Sequence, residues 1–311
     1  MNQTISAQLK IMFAMVIVGS SVVAGKMLVE SFPVFLASEL RFLIAALILV
    51  PMLLKKEGIP TFSKKEVGIL FLQALSGVFL FSIFMLYGLM YTTAMEGGII
   101  MSTLPAVVAL MAFITLKEKL TRLTIIGILL AVGGTLAINT SGTLSDVERG
   151  VAPLLGNLLI IGAVISEALF IIFGKSISQR VSPLAISTMV SVFGVVLFLP
   201  FAIYEATRFP LTDVSLNDWL IIFYFGVVVT VIAFVLMYQG IEKVPASTVG
   251  VLTGVLPISA VLLSALILKE SFSTFHVAGM GLVLAAILLI SIDSNVEKKE
   301  VASLKKKKGI S

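Results

Sequence analysis

Apolar runs of about 20 residues recur along almost the whole chain. They fall near 9–29, 34–54, 67–90, 93–116, 122–140, 153–175, 183–204, 218–240, 245–268 and 273–292. At the helical rise of about 1.5 Å per residue, a run of this length matches the roughly 30 Å hydrocarbon core of a bilayer. Inside lipid a backbone has no water to bond with, so the runs must be helices or a closed barrel. The alternation of period two that a barrel needs is absent, which leaves helices. Composition agrees: 59% of the 311 residues are hydrophobic and only 13% charged, about half the charged share of a soluble domain. The expected fold is an all-α integral membrane protein of ten transmembrane helices. The first run is too long for a cleaved leader, carries Lys26 near its end, and is read as a retained helix.

The same composition narrows the chemistry. There is no cysteine and one histidine, His276, so disulfides, thiolate metal sites and Cys nucleophiles have no basis. No Gly-rich phosphate loop and no GxSxG elbow occurs. No cofactor, no metal and no nucleic-acid partner is expected. The loops are too short for a soluble domain, so any activity must be built from the helices themselves.

Basic residues set the expected orientation, because cytoplasmic loops are enriched in Lys and Arg. With the N-terminus inside, 17 of the 22 Lys and Arg fall on the cytoplasmic side, among them Lys55, Lys56, Lys64, Lys65, Lys117, Lys119 and the tail lysines. Arg149, Arg208 and Lys269 fall outside, and Lys26 and Arg41 lie within spans, which completes the 22. Both termini are therefore expected in the cytoplasm, with the "KKKKGIS" tail facing anionic lipid.

A shift of 152 residues places Pro105 on Pro257, Gly98 on Gly250, Gly88 on Gly240 and Lys117-Glu118 on Lys269-Glu270. Pro33 and Pro183 pair at 150, and Gly25-Lys26 and Gly174-Lys175 at 149. The chain thus divides into a cytoplasmic N-terminus (1–8), a first five-helix repeat (9–140), an external linker (141–152), a second repeat (153–292) and a basic cytoplasmic tail (293–311). Five helices is an odd number, so the second repeat enters the membrane from the opposite side. Inverted repeats of this kind generate the two exchangeable states of alternating-access carriers. In each Lys-Glu pair the Lys suits the end of helix 4 or 9, and the Glu the start of the following helix.

The carrying stretches are "GSSVVAGK…FPVFLASELRFLIAALIL" (19–49) and "STLPAVVALMAFITLKEKLTRLTIIGILLAVGG" (102–134). The second recurs as "TGVLPISAVLLSALILKESFSTFHVAGMGLVLA" (253–285). On these the chain resembles the EamA type of the drug/metabolite transporter superfamily over residues 9–292. The tryptophan frequent in the first helix of such proteins is missing, with Val18 before Gly19. The resemblance implies secondary transport in the cell membrane, often export of amino acids or other metabolites, without an ATP site. Carriage of drugs, sugars or phosphorylated metabolites is the alternative within the fold. A non-transporting scaffold or an intramembrane enzyme is the alternative outside it. Monomer and homodimer both stay open.

Ionisable groups inside a bilayer are costly and therefore candidates for function. Lys26, Glu39, Arg41 and Glu96, with Glu30, fall in one charged layer in the outer third, suited to an external gate or a zwitterionic substrate. Glu167 lies far deeper, and no basic residue has an obviously matching depth. It is the expected carboxylate for coupling to a proton or other ion gradient. Gln73, Tyr87, Asn157, Tyr238 and Gln239 are polar groups that can line a cavity or join helices. Pro105 and Pro257 are expected to kink helices 4 and 9, each just after a small-xxx-small pattern, Gly98 to Ser102 and Gly250 to Gly254. These are the expected moving parts.

Overall fold

A computed structural model describes all residues except 1–2, 117–120, 141–149, 178–179, 242, 244–251, 253–254, 271–272, 287 and 290–311. The described residues are helical, with no strand among them. Among the described residues, six helices are long and apolar enough to cross a membrane. They are α1 (Gln3–Ser31), α2 (Val34–Lys56), α3 (Lys64–Tyr91), α6 (Pro153–Ile177), α7 (Pro183–Ala206) and α8 (Leu216–Ile241). Four shorter apolar segments complete the order. These are α4, in two pieces (Ala94–Met101 and Leu104–Leu116), α5 (Arg122–Thr140), α9 (Val255–Leu268) and α10 (Thr274–Ala286).

The helix starts follow local chemistry. Ser63 and Glu66 form a reciprocal capping box at α3. Thr93 accepts the Glu96 amide at the start of α4, and Ser182 the Ala185 amide beside Pro183 at α7. Ser215 does the same for Asp218 at α8. α4 is interrupted at Ser102–Thr103, directly before Pro105, whose missing N–H and ring disfavour a continuous turn. Pro257 is the third residue of α9, while Gly250 and Gly254 lie outside the described residues.

Three helices carry π-type turns that no apolar periodicity announced: Leu75–Leu80 in α3, Phe225–Ile232 in α8 and Ser264–Leu268 in α9. The first two occupy matching places in the two halves, since Gly77 and Gly226 lie 149 residues apart, the offset of Gly25 and Gly174. A wide turn leaves a carbonyl without its usual partner, a feature common at functional sites.

In packing, α2 lies along α7, α1 against α8 and α9, α6 against α3 and α4, and the first piece of α4 against α9. Exchanging the two halves maps α1–α8 onto α6–α3 and α1–α9 onto α6–α4, and maps α2–α7 and α4–α9 onto themselves. Close approach depends on small residues. A Cβ on Gly156 would lie 2.8 Å from the Gly88 carbonyl, and one on Gly98 2.8 Å from the Ala260 Cβ. Two large apolar cores and two small clusters result among the described residues. One large core gathers around α1, α6, α8 and α9 (Ile11, Val22, Ile160, Phe225, Ala260), the other around α2, α3 and α7 (Phe42, Leu49, Leu70, Val190, Phe198). Leu47, Leu129, Leu158, Val196, Leu220 and Leu262 point outward, the disposition a lipid solvent requires.

Candidate functional site

The polar residues that remain inside form two groups. The first lies between the two cores at mid-depth. Arg41 is seven residues into α2 (41 − 34), but its guanidinium does not stay at that level. Its Nε donates to Thr230 Oγ1 at 2.7 Å, and the Thr230 hydroxyl donates in turn to the Phe225 carbonyl at 2.9 Å. Thr230 sits in the π-turn of α8, which supplies that spare carbonyl five residues back. The guanidinium also lies 4.8 Å from the Phe42 ring and 5.2 Å from the Phe225 ring, one from each core.

Thr230 is 14 residues into α8 (230 − 216) and Glu167 is 14 into α6 (167 − 153). Arg41 therefore reaches the level of Glu167, and the two charges attract each other. This corrects the expectation that Glu167 has no cationic counterpart. Position along a helix fixes only the Cα level, and an arginine side chain spans several helical levels. Among the described residues neither group closes a direct ion pair, and no hydrogen bond reaches the Glu167 carboxylate or the terminal nitrogens of Arg41. The two groups interact electrostatically without a direct bond. Glu167 also faces Tyr238 electrostatically. Gln73, fully buried, donates from Nε2 to the Tyr238 hydroxyl at 2.6 Å and reaches the Phe170 carbonyl at 3.4 Å. Arg41, Thr230, Glu167, Tyr238 and Gln73 thus form one row drawn from α2, α8, α6 and α3.

The second group lies at the end where α1 and α3 finish. Glu96 is fully buried. Its Oε2 accepts from Asn157 Nδ2 at 2.6 Å and from Thr92 Oγ1 at 3.1 Å, and its Oε1 lies 3.6 Å from His276 Nε2. Lys26 donates to the carbonyls of Leu89 (2.6 Å) and Thr92 (2.8 Å), at the carboxyl end of α3, where a cation is favoured. Lys269 adopts a left-handed conformation (φ 55°). Beyond this turn Glu270 accepts the amides of Ala94 (2.9 Å) and Met95 (2.7 Å). Glu270 therefore caps α4, not the helix that follows it in sequence, because anions suit any nearby helix start. Lys117 and Glu118 lie outside the described residues.

The single charged layer expected from sequence is thus divided. Arg41 joins the mid-depth row. Lys26 and Glu96 belong to the end cluster by different bonds. Glu30 is exposed, and Glu39 is buried with Oε2 unpartnered, joined to none of the other candidates. Two residues escaped the sequence reading. Thr230 looked like one hydroxyl in an apolar run. His276, named in the sequence only as the single histidine, is buried, at 2% exposed. The spacing S-x-x-H at 273–276 was the available signal for it. No group of three or more His, Cys, Asp or Glu side chains able to hold a metal occurs among the described residues.

Comparison with known proteins agrees with the fold and the membrane setting. The family model of the EamA-like transporter family matches twice, at residues 5–140 and 154–292. The "Uncharacterized transporter YetK" of Bacillus subtilis (strain 168) is 48% identical over 292 residues, covering 94% of this chain and 88% of that protein. "Uncharacterized transporter YyaM" of the same organism is 25% identical over 252 residues, 81% and 82% of the two chains. A solved crystal structure superposes with a TM-score of 0.65 at 17% identity, covering 92% of this chain and 98% of its own, and so shares the fold. With the family model matched across both halves, the chain belongs to the EamA-like transporter family.

Proposed function

We propose that the chain is a secondary transporter that carries a small zwitterionic metabolite, of the amino-acid class, out of the cell across the cytoplasmic membrane. The observation that carries this reading is the Arg41–Glu167 pair: opposite charges at one depth, each anchored on a different helix and without a direct bond to the other. A charge pair with no other use would close, since an unpaired charge within the membrane is expensive. A zwitterion offers the complement. Its carboxylate accepts from the planar guanidinium, which suits two parallel bonds. Its ammonium bonds the Glu167 carboxylate. Tyr238 and Gln73 border the site on the side where α3 begins and α8 ends.

Ten spans in two inverted five-helix halves, with both termini in the cytoplasm, supply alternating access around this site. The double family match and the exchange of packed pairs between halves support that arrangement. Glu167 is also the group that accepts a proton once the ammonium leaves, which would couple transport to the proton gradient. Blocked analogues test the assignment. In proteoliposomes, the wild-type protein should reject both an amino-acid methyl ester and an N-acetyl amino acid. Arg41→Gln should lose its preference against the ester alone, and Glu167→Gln its preference against the N-acetyl compound and its response to a pH gradient. Equal discrimination in wild type and both variants would sink the assignment.

A further inference from the structure

The end cluster contains a device that the mid-depth site does not use. Ser273 Oγ accepts the backbone N–H of His276 at 3.2 Å, and His276 Nδ1 accepts the backbone N–H of Ser273 at 3.3 Å. This is a reciprocal capping box at the start of α10, with an imidazole where Glu or Gln normally stands. Because Nδ1 accepts, the imidazole in this arrangement carries its proton on Nε2 and is neutral. That Nε2–H is buried, has no hydrogen-bond partner, and points at Glu96 Oε1, 3.6 Å away, just beyond hydrogen-bond reach.

We propose that His276 and Glu96 form a proton-binding switch that ties the start of α10 to the start of α4. When Nδ1 takes up a proton it can no longer accept from Ser273, so the box opens. The same proton makes the ring a cation facing a buried carboxylate, and Nε2–H closes onto Oε1. One proton thus exchanges a bond within α10 for an ion pair between helices. Glu96 is already joined to α6 through Asn157 and to the end of α3 through Thr92. Protonation therefore draws α3, α4, α6 and α10 together at this end, which the proposed topology places outside. Among the described residues at this end, Lys26 is engaged on the Leu89 and Thr92 carbonyls and Glu270 on the Ala94 and Met95 amides, while Lys269 is exposed.

His276 is the sole histidine, so the full-length protein made with 15N-histidine, purified without a histidine tag and held in nanodiscs, gives one imidazole spectrum. The expected neutral form is protonated at Nε2 and bare at Nδ1. On acidification Nδ1 should gain a proton while the Ser273 amide resonance shifts with it. In Glu96→Gln, which removes the negative charge, protonation of Nδ1 should no longer bring the downfield shift of Nε2–H that closure onto a carboxylate produces. A neutral form protonated at Nδ1, or the same Nε2–H response with and without Glu96, would overturn the proposal. His276→Gln keeps a capping-box acceptor but removes the titration, so it should fold normally and show no pH-dependent shift of the Ser273 amide. The consequence for flux rests on the transport reading, whereas these spectra need no substrate. If no solute is carried and the spectra behave as stated, the switch stands and only the transport reading falls.

Discussion

Thr230→Val is the sharpest perturbation of the mid-depth row. Valine keeps the shape of threonine but removes the hydroxyl that accepts from Arg41 Nε at 2.7 Å and donates to the Phe225 carbonyl at 2.9 Å. A hydrogen bond to a charged group contributes about 1.5–3 kcal/mol, and a buried donor left unsatisfied costs a similar amount. At about 1.4 kcal/mol per factor of ten, the affinity of the site for a carboxylate-bearing solute should fall about 10- to 100-fold. The upper figure applies if the Thr230 bond holds the guanidinium in its ligand-binding orientation and nothing replaces it. Thr230→Ser keeps the hydroxyl and should bind within about threefold of wild type, its lost buried methyl costing about 0.5–1.5 kcal/mol of fold stability instead. The assay is the concentration dependence of uptake into proteoliposomes, with thermal stability of each variant measured in parallel. Wild-type affinity in Thr230→Val, or a larger loss in Thr230→Ser, would refute the claim that Thr230 positions Arg41.

Three further outcomes follow from the packing, the caps and the repeat. Gly156→Ala should destabilise the fold by about 1–3 kcal/mol, because its Cβ would meet backbone of α3 at 2.8–2.9 Å. Gly133→Ala, with nothing within 4 Å, should be neutral or stabilising by about 0.5–1 kcal/mol, and thermal unfolding in detergent reads both. Glu270→Ala should cost about 1–2 kcal/mol by uncapping Ala94 and Met95 at the start of α4, detectable as faster hydrogen exchange at those amides. In this cysteine-free chain, single cysteines at Lys117 and Lys269 should react with an impermeant thiol reagent from opposite sides of the membrane. Reaction of both from one side would exclude the inverted arrangement.

What the sequence made visible was decided by length and composition. The runs at 9–29, 34–54 and 183–204 became α1, α2 and α7 because lipid permits no other backbone structure, and Pro33, Pro183 and the Ser and Thr caps marked their starts. The break before Pro105 was equally local. The π-turns were invisible, since one extra residue per turn hardly alters a run that is apolar on every face. Arg41 and Glu167 could each be named as candidates, but not as a pair. Depth along a helix gives the Cα level, and the arginine side chain covers the difference. Glu270 was matched to the wrong helix because sequence order names only the next helix start, while folding brings the start of α4 beside it. His276 was passed over because one histidine suggests no metal or catalytic cluster, and its role depends on a glutamate 180 residues away (276 − 96).

Exchange of labelled amino acids against an internal pool in proteoliposomes addresses the central claim most directly, because exchange needs only a site that both sides can reach. The account predicts exchange of one or more zwitterionic amino acids by the wild-type protein, and its loss in Arg41→Gln with the fold retained. Exchange that is unaffected by Arg41→Gln, or confined to solutes lacking a carboxylate, would contradict it.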